Sequence, residues 1–222
     1  MDASNRRPLK SRGTGWAGAS AAALARAGVG PDLISAASVV FAAIGAGCLV
    51  ASATAGPVLR AALLVGAAAF VQLRLLCNLL DGMVAVEHGR GGPYGPIWNE
   101  LPDRVSDVLL LAAMGWAAGA GGPEAPVLGW IASVLAVLTA YVRELGRASG
   151  FAPDFSGPMA KPHRMALLTG ACMLSLAEPL VGWRGQVLYI ALVIVVFGAA
   201  LTVARRVGAL GHNLKQSAAG GR

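Results

Sequence analysis

RAALLVGAAAFVQLRLLCNLLDGMVAV, residues 60–86, is a near-continuous apolar run that ends on polar residues. A helix needs about 20 apolar residues to cross a bilayer core of about 30 Å, and this run is long enough. Arg74, Asn78, Asp81, Gly82 and Ala85 step by three or four along it and share one helical face. Ionisable groups in a span are costly unless they meet water, a partner or a ligand, so this face marks a site.

Further apolar runs lie on both sides, near 33–54, 99–120, 126–148, 164–183 and 186–207. Gly56-Pro57, Gly121-Gly122-Pro123 and the Pro153–Pro162 stretch separate them as turns, and Arg184-Gly185 divides the last two. The expectation is an all-α integral membrane protein with six transmembrane helices and no separate soluble domain. Its domain organisation reads as a basic N-terminal tail at 1–14, a six-helix membrane domain at 15–210 and a C-terminal tail at 211–222. Residues 15–28, broken by Arg26, read as a short helix lying at the membrane interface rather than a cleaved leader.

Composition agrees. The chain is 56% hydrophobic and only 13% charged, against about a quarter charged in soluble domains. Its net charge of +7 is spread between apolar runs, with no basic face interleaved with stacking aromatics, which argues against nucleic-acid binding. With six spans, fifteen of the eighteen Lys and Arg residues fall on the side of the termini; only Arg60 and Arg184 fall opposite, and Arg74 is inside a span. That asymmetry predicts a multi-pass protein of the cell (inner) membrane with both termini cytoplasmic. Cys48, Cys77 and Cys172 are far apart in apolar segments and read as buried free thiols. Small residues such as Gly45 and Ala46 make a homodimer conceivable.

The third run opens Asn99-Glu-Leu-Pro102-Asp103-Arg104-Val-Ser-Asp107, so Asn99, Asp103 and Asp107 stack four apart on one face. Pro102 falls in the first turn, where its missing N–H costs little. The connection from Gly89 to Ile97 is short and glycine-rich, so Asp81, Asp103 and Asp107 converge at one membrane face. Three carboxylates cannot sit together unneutralised. A divalent ion is one solution, and oxygen-only ligands favour Mg²⁺ or Mn²⁺. Buried ion pairs with Arg74 and Arg104 are the other. A metal beside lipid headgroups suits phosphate chemistry. A second cluster, Arg143, Arg147, Lys161 and Arg164, reads either as a phosphate pocket or as basic decoration facing anionic lipids.

Asn78-Leu-Leu-Asp81-Gly82-Met-Val-Ala85-Val86 followed by Asp103-Arg-Val-Ser-Asp107 resembles the signature of the CDP-alcohol phosphatidyltransferase family, D-x2-D-G-x2-A-R, a spacer, then G-x3-D-x3-D. Val29-Gly-Pro31-Asp-Leu-Ile-Ser35 resembles the family's segment ahead of the first span. The chain departs from the pattern at Asn78, where the family has aspartate, and at Val86, where it has arginine. An eight-residue spacer aligns Gly95, Asn99 and Asp103 with the second half; a spacer four residues longer aligns Asn99, Asp103 and Asp107, and is preferred because it leaves more carboxylates in the site.

The resemblance implies a six-helix enzyme that transfers a phosphatidyl group from a CDP-activated lipid, such as CDP-diacylglycerol, to a small alcohol acceptor, releasing CMP. It implies Mg²⁺ or Mn²⁺ held by Asp81, Asp103 and Asp107, with Asn78 as a weaker ligand. Asp81, Gly82, Ala85, Asn99 and Asp103 would bind the nucleotide, and Asp107 would also take the acceptor's proton. Arg143, Arg147, Lys161 and Arg164 would hold phosphate or acceptor. Two rivals remain: a non-catalytic relative that binds CDP-lipid, and a cation- or proton-coupled transporter. Against the latter, no repeat is visible and the acidic residues gather at one face.

Overall fold

Proline sets the start of most helices in this chain. Pro31, Pro57, Pro96, Pro126 and Pro162 each stand in the first two positions of a helix, where the absent N–H has no intrahelical partner to lose. The computed structural model describes residues 14–87 and 93–220. In order the helices are α1 (Gly15–Arg26), α2 (Pro31–Ser52), α3 (Pro57–Glu87), α4 (Gly95–Ala117), α5 (Ala125–Ala148), α6 (Lys161–Leu174) and α7 (Gln186–Gly220). A 3-10 segment, Ser175–Val181, continues α6. Among the described residues there is no strand.

The six expected runs correspond to α2 through α7 with small shifts at their ends. Five of them, α6 counted with its 3-10 extension, are long and apolar enough to cross a membrane. The helix missing from that group is α4. Glu100, Asp103, Arg104 and Asp107 crowd its first half and lower its hydropathy, although its second half, Val108 to Ala117, is apolar throughout. α7 runs through the stretch read as a C-terminal tail as far as Gly220. The N-terminal tail before Thr14, Arg90, Gly89 to Gly92 of the connection, and Arg222 lie outside the described residues.

Lipid is the solvent this surface fits. Val58, Leu180, Phe197, Val134 and Val40 are all more than half exposed, an arrangement that water would penalise and acyl chains would not. Inside, alanine, leucine and glycine bring the backbones close. A Cβ on Gly115 would come within 2.6 Å of the Ala125 carbonyl oxygen, and one on Gly129 within 2.9 Å of the Leu111 carbonyl oxygen. The antiparallel pair α4–α5 therefore meets along its glycines. Gly45 and Ala46 are buried, and a Cβ on Gly45 would lie 3.2 Å from Phe70, so these two residues pack α2 into its own bundle and form no outward dimer face.

α1 buries Ala17, Ala21 and Ala25, four apart, and packs on Leu79, Leu80, Met83 and Val84 of α3. It therefore braces the stretch of α3 that carries Asn78 and Asp81. At the opposite end of the bundle, Glu178 is buried, pairs with Arg60 at 2.9 Å and accepts the N–H groups of Gly185 and Val187, each at 2.8 Å. It thus caps α7 and ties it to α3. Arg184 bonds the Ala53 and Ala55 carbonyls at 3.0 and 2.8 Å, so the two arginines expected opposite the termini do share an end.

Gly129→Leu would force α4 and α5 apart. Overpacking of this kind costs about 1–3 kcal/mol, so the variant should melt several degrees below the parent in detergent, as followed by size-exclusion chromatography of heated samples. An unchanged melting point would mean that the close approach is not needed.

Candidate active site

Three helices converge on the site. α3 presents Arg74, Asn78 and Asp81 on one face; α4 presents Asn99, Asp103 and Asp107; α2 brings the turn Pro31–Ser35 alongside. Asn78 Nδ2 donates to Asp103 Oδ1 at 2.5 Å, which locks the two polar faces together. Ser35 Oγ donates to Asp81 Oδ2 at 2.6 Å, and both residues are buried.

Between these helices lies a cavity of about 110 Å³ lined by Pro31, Asp32 and Ser35 of α2, Asp81, Gly82 and Ala85 of α3, and Gly95, Pro96, Trp98 and Asn99 of α4. Four of the five residues expected to bind a nucleotide, Asp81, Gly82 and Ala85 of α3 and Asn99 of α4, thus line the one cavity. The fifth, Asp103, lies one turn further along α4 and adjoins it through Asn78. Gly95 and Asn99 of α4 line the cavity together with Asp81 of α3.

Asp107 is fully buried and does not line the cavity. Arg74 Nη2 reaches its Oδ1 at 2.8 Å and Arg164 Nη2 its Oδ2 at 2.7 Å, so both oxygens are engaged. Enclosed and paired on both oxygens, Asp107 holds α3, α4 and α6 together. The ion-pair alternative describes it better.

Asp103 is the more open carboxylate, its side chain 16% exposed. It is approached by Arg74 at 3.4 Å, by Arg104 at 3.7 Å and by the Lys161 ammonium, its closest ion-pair partner. Asp81, by contrast, makes no ion pair among the described residues. Within those residues no group of three or more His, Cys, Asp or Glu side chains is arranged to hold a metal. What the site offers a hard cation is the cavity carboxylates Asp32 and Asp81, the adjoining Asp103, and the amide oxygens of Asn78 and Asn99. That donor type fits Mg²⁺ or Mn²⁺, in a set that is incomplete by itself.

The basic cluster divides in two. Arg164 is buried; besides Asp107 it donates to the Met159 carbonyl at 2.8 Å and to Thr139 Oγ1 at 3.4 Å, so it serves the packing of α4, α5 and α6 and is not free to bind phosphate. Arg143 is nearer the surface, held by Glu100 at 2.5 Å and Glu144 at 3.0 Å, with its guanidinium over the Phe155 ring at 5.4 Å. Arg147 pairs with Glu144 at 3.4 Å and remains half exposed. Sequence reasoning missed Glu100, whose carboxylate also meets Arg104 at 3.3 Å and links both clusters. It also missed Arg206, which holds the α5–α6 connection through the Thr139 and Ser156 carbonyls at 2.6 and 2.8 Å. Nothing in the local pattern of either residue signals these distant partners. Asp32 and Ser35 had a signal, the Pro31-Asp-x-x-Ser35 segment, but no role was drawn from it.

The class of fold is shared with solved membrane enzymes. Phosphatidylinositol phosphate synthase of Mycobacterium tuberculosis with CDP-DAG bound aligns with a TM-score of 0.70 at 22% identity, over 87% of this chain and 92% of that one. The same enzyme in complex with manganese and citrate gives 0.68 at 23% identity, over 86% of each chain. Among sequences, the phosphatidylinositol phosphate synthase of Mycolicibacterium smegmatis is 29% identical over 193 residues, 86% of this chain and 81% of its own length. That of Corynebacterium glutamicum is 29% identical over 120 residues, 52% of this chain and 54% of its own. These relatives are CDP-alcohol phosphatidyltransferases. No protein-family model matches the chain.

Arg74→Leu would strand Asp107 with one partner fewer in a buried setting. Breaking such a pair costs about 3–5 kcal/mol, so the variant should unfold far more readily in detergent, and Arg74→Leu with Asp107→Leu should recover little of the loss, because Arg164 would then be buried without its carboxylate partner. A single variant as stable as the parent would show that the pair is not needed for folding.

Proposed function

We propose that this chain transfers a phosphatidyl group from a CDP-linked lipid, such as CDP-diacylglycerol, to a small alcohol acceptor, releasing CMP. The observation that carries the reading is the cavity that Asp81, Gly82, Ala85 and Asn99 line together, with Asp103 adjoining. Gly82 and Ala85 lack bulk and let a nucleotide lie against α3. The likeness to synthases, one of them solved with CDP-DAG and with manganese, supports the same activity.

In the reaction the acceptor oxygen attacks the lipid phosphorus, and the bond from that phosphorus to the bridging oxygen of CMP breaks. The acceptor's proton goes to Asp103, the carboxylate that retains solvent access. Asp107, through Arg74 and Arg164, is a positioning residue. Mg²⁺ or Mn²⁺, held by Asp81 and Asp103 with Asn78 and Asn99 as neutral donors, would supply charge neutralisation on the diphosphate. Lys161 and Arg74, paired with Asp103, add fixed positive charge beside that carboxylate.

The acceptor is a phosphorylated polyol such as inositol phosphate. The half-exposed Arg147 and the near-surface Arg143 offer guanidinium groups suited to a phosphate, and the relatives' name points to the same substrate class. In the membrane the protein has six spans, α2 to α7, with α4 crossing because its charges are paired internally. α1 lies at the interface, and both termini are cytoplasmic in the inner membrane, the side that carries the excess of Lys and Arg. A non-catalytic role as a CDP-lipid binder is the second reading, favoured by amides at Asn78 and Asn99 and by Val86 in place of arginine.

With purified protein, Mg²⁺ or Mn²⁺, labelled CDP-diacylglycerol and inositol phosphate, CMP release is expected. Asp103→Asn should lower its rate by at least about 100-fold, as loss of a general base does. Release by the parent refutes the non-catalytic reading; full activity of the variant removes Asp103 as the base. Arg143→Ala should raise KM for a phosphorylated acceptor about tenfold, the weight of one charge-assisted contact, and leave kcat nearly unchanged. An unchanged KM would assign Arg143 to the lipid surface instead.

A further inference from the structure

The end of the bundle away from the active site holds a second cavity, of about 160 Å³, which the transferase reading does not use. Its wall includes Pro57, Arg60 and Ala61 of α3, Ser175 of the 3-10 segment, and Trp183 and Arg184 ahead of α7. Arg60 has a structural explanation, since it is buried and paired with Glu178 at 2.9 Å. Arg184 is only partly explained. Its Nη2 donates to the Ala53 and Ala55 carbonyls beyond the end of α2, yet the residue makes no ion pair among the described residues. Ser175 is 2% exposed, and its Oγ has no hydrogen-bond partner among the described residues. A buried hydroxyl left in that state is costly, and a ligand in the cavity would relieve it.

The charges at this end decide the sign of that ligand. Glu178 is spent on Arg60 and on the N–H groups of Gly185 and Val187. Glu124, the other acidic residue here, is exposed in the α4–α5 turn and does not line the cavity. The guanidinium of Arg184 is therefore uncompensated within the cavity, beside a hydroxyl able to donate. That pair suits an anion rich in oxygen acceptors, a phosphate above all. The surroundings indicate its source. Val58 and Leu180, each next in sequence to a lining proline, are both 86% exposed, as side chains that meet acyl chains are. Trp183 is 44% exposed, the placing of a ring at headgroup level.

We propose that this cavity binds the phosphodiester of an anionic phospholipid, in the leaflet opposite the active site. Arg184 supplies the charge, Ser175 Oγ a second donor, and Trp183 packs at the rim. The site involves no turnover, so it stands or falls apart from the transferase reading. A lipid held there bridges α3, the 3-10 segment and the start of α7, the same elements that Glu178 joins from within.

The test is native mass spectrometry of the full-length protein in detergent, titrated with phosphatidylglycerol or with phosphatidylcholine. The first phosphatidylglycerol should bind about tenfold tighter than phosphatidylcholine, whose headgroup carries its own cation. Arg184→Gln removes the charge, and Ala61→Leu fills the cavity while keeping every polar group. Each, checked for an unchanged elution profile, should reduce the preference to below about twofold, and Ser175→Ala should weaken phosphatidylglycerol by about fivefold. Lys215→Gln, on the exposed stretch of α7 at the other end, should leave the preference intact. If Arg184→Gln elutes differently from the parent, Ala61→Leu decides. Equal binding of the two lipids, or a preference that survives Ala61→Leu, overturns the proposal. Inorganic phosphate in large excess should leave the lipid bound; displacement of the lipid would assign the cavity to a free anion and overturn the lipid assignment.

Discussion

Arg74 is a fully buried guanidinium in the middle of an apolar helix, and the bundle is organised around it. Its Nη2 reaches Asp107 on α4 at 2.8 Å, and Asp107 in turn holds Arg164 on α6. Removing an ion from water costs several kcal/mol, and a hydrocarbon surrounding raises the demand for a partner. These three residues can meet that demand only when α3, α4 and α6 stand in one relative register. Arg164 then extends the constraint to α5 and to the α5–α6 connection through Thr139 and the Met159 carbonyl. Glycine contacts let the helices come close, but they specify little by themselves; the paired charges decide which faces meet.

The two ends of the bundle use the same device for different purposes. Away from the site, Arg60 and Glu178 are both deeply buried, and the spare acceptor capacity of Glu178 is used on the backbone N–H groups that open α7. The result is a closed structural joint. At the site the pairing is uneven: Asp107 is saturated, Asp103 is shared among several cations and partly open, and Asp81 accepts from Ser35 and makes no ion pair among the described residues. Graded exposure from Asp107 to Asp103 to the cavity separates side chains that hold the fold from side chains that line or adjoin the cavity.

That gradient also explains how a site in a membrane protein keeps its polar groups usable. α1 covers the outside of α3 with three alanines, and the Pro31–Ser35 turn of α2 closes the cavity's remaining side. The cavity is thus bounded by short side chains and helix starts, where chain direction changes and backbone approaches closely.

Much of the architecture was legible in the residues. Apolar run length fixes where helices span, because a bilayer has a set thickness, and prolines mark their starts because only the first turn tolerates them. Helical period alone brings Arg74, Asn78 and Asp81 to one face and Asn99, Asp103 and Asp107 to another. Depth is what this reasoning could not supply. Residues four apart on one helix share a face but lie about 6 Å apart along its axis, and which of them reaches the cavity depends on where neighbouring helices stop. Asp107 and Arg164 look in sequence like a base and a phosphate ligand. Packing against α3, α5 and α6 turns them into each other's partner, because an unpaired charge at that depth has nowhere else to go.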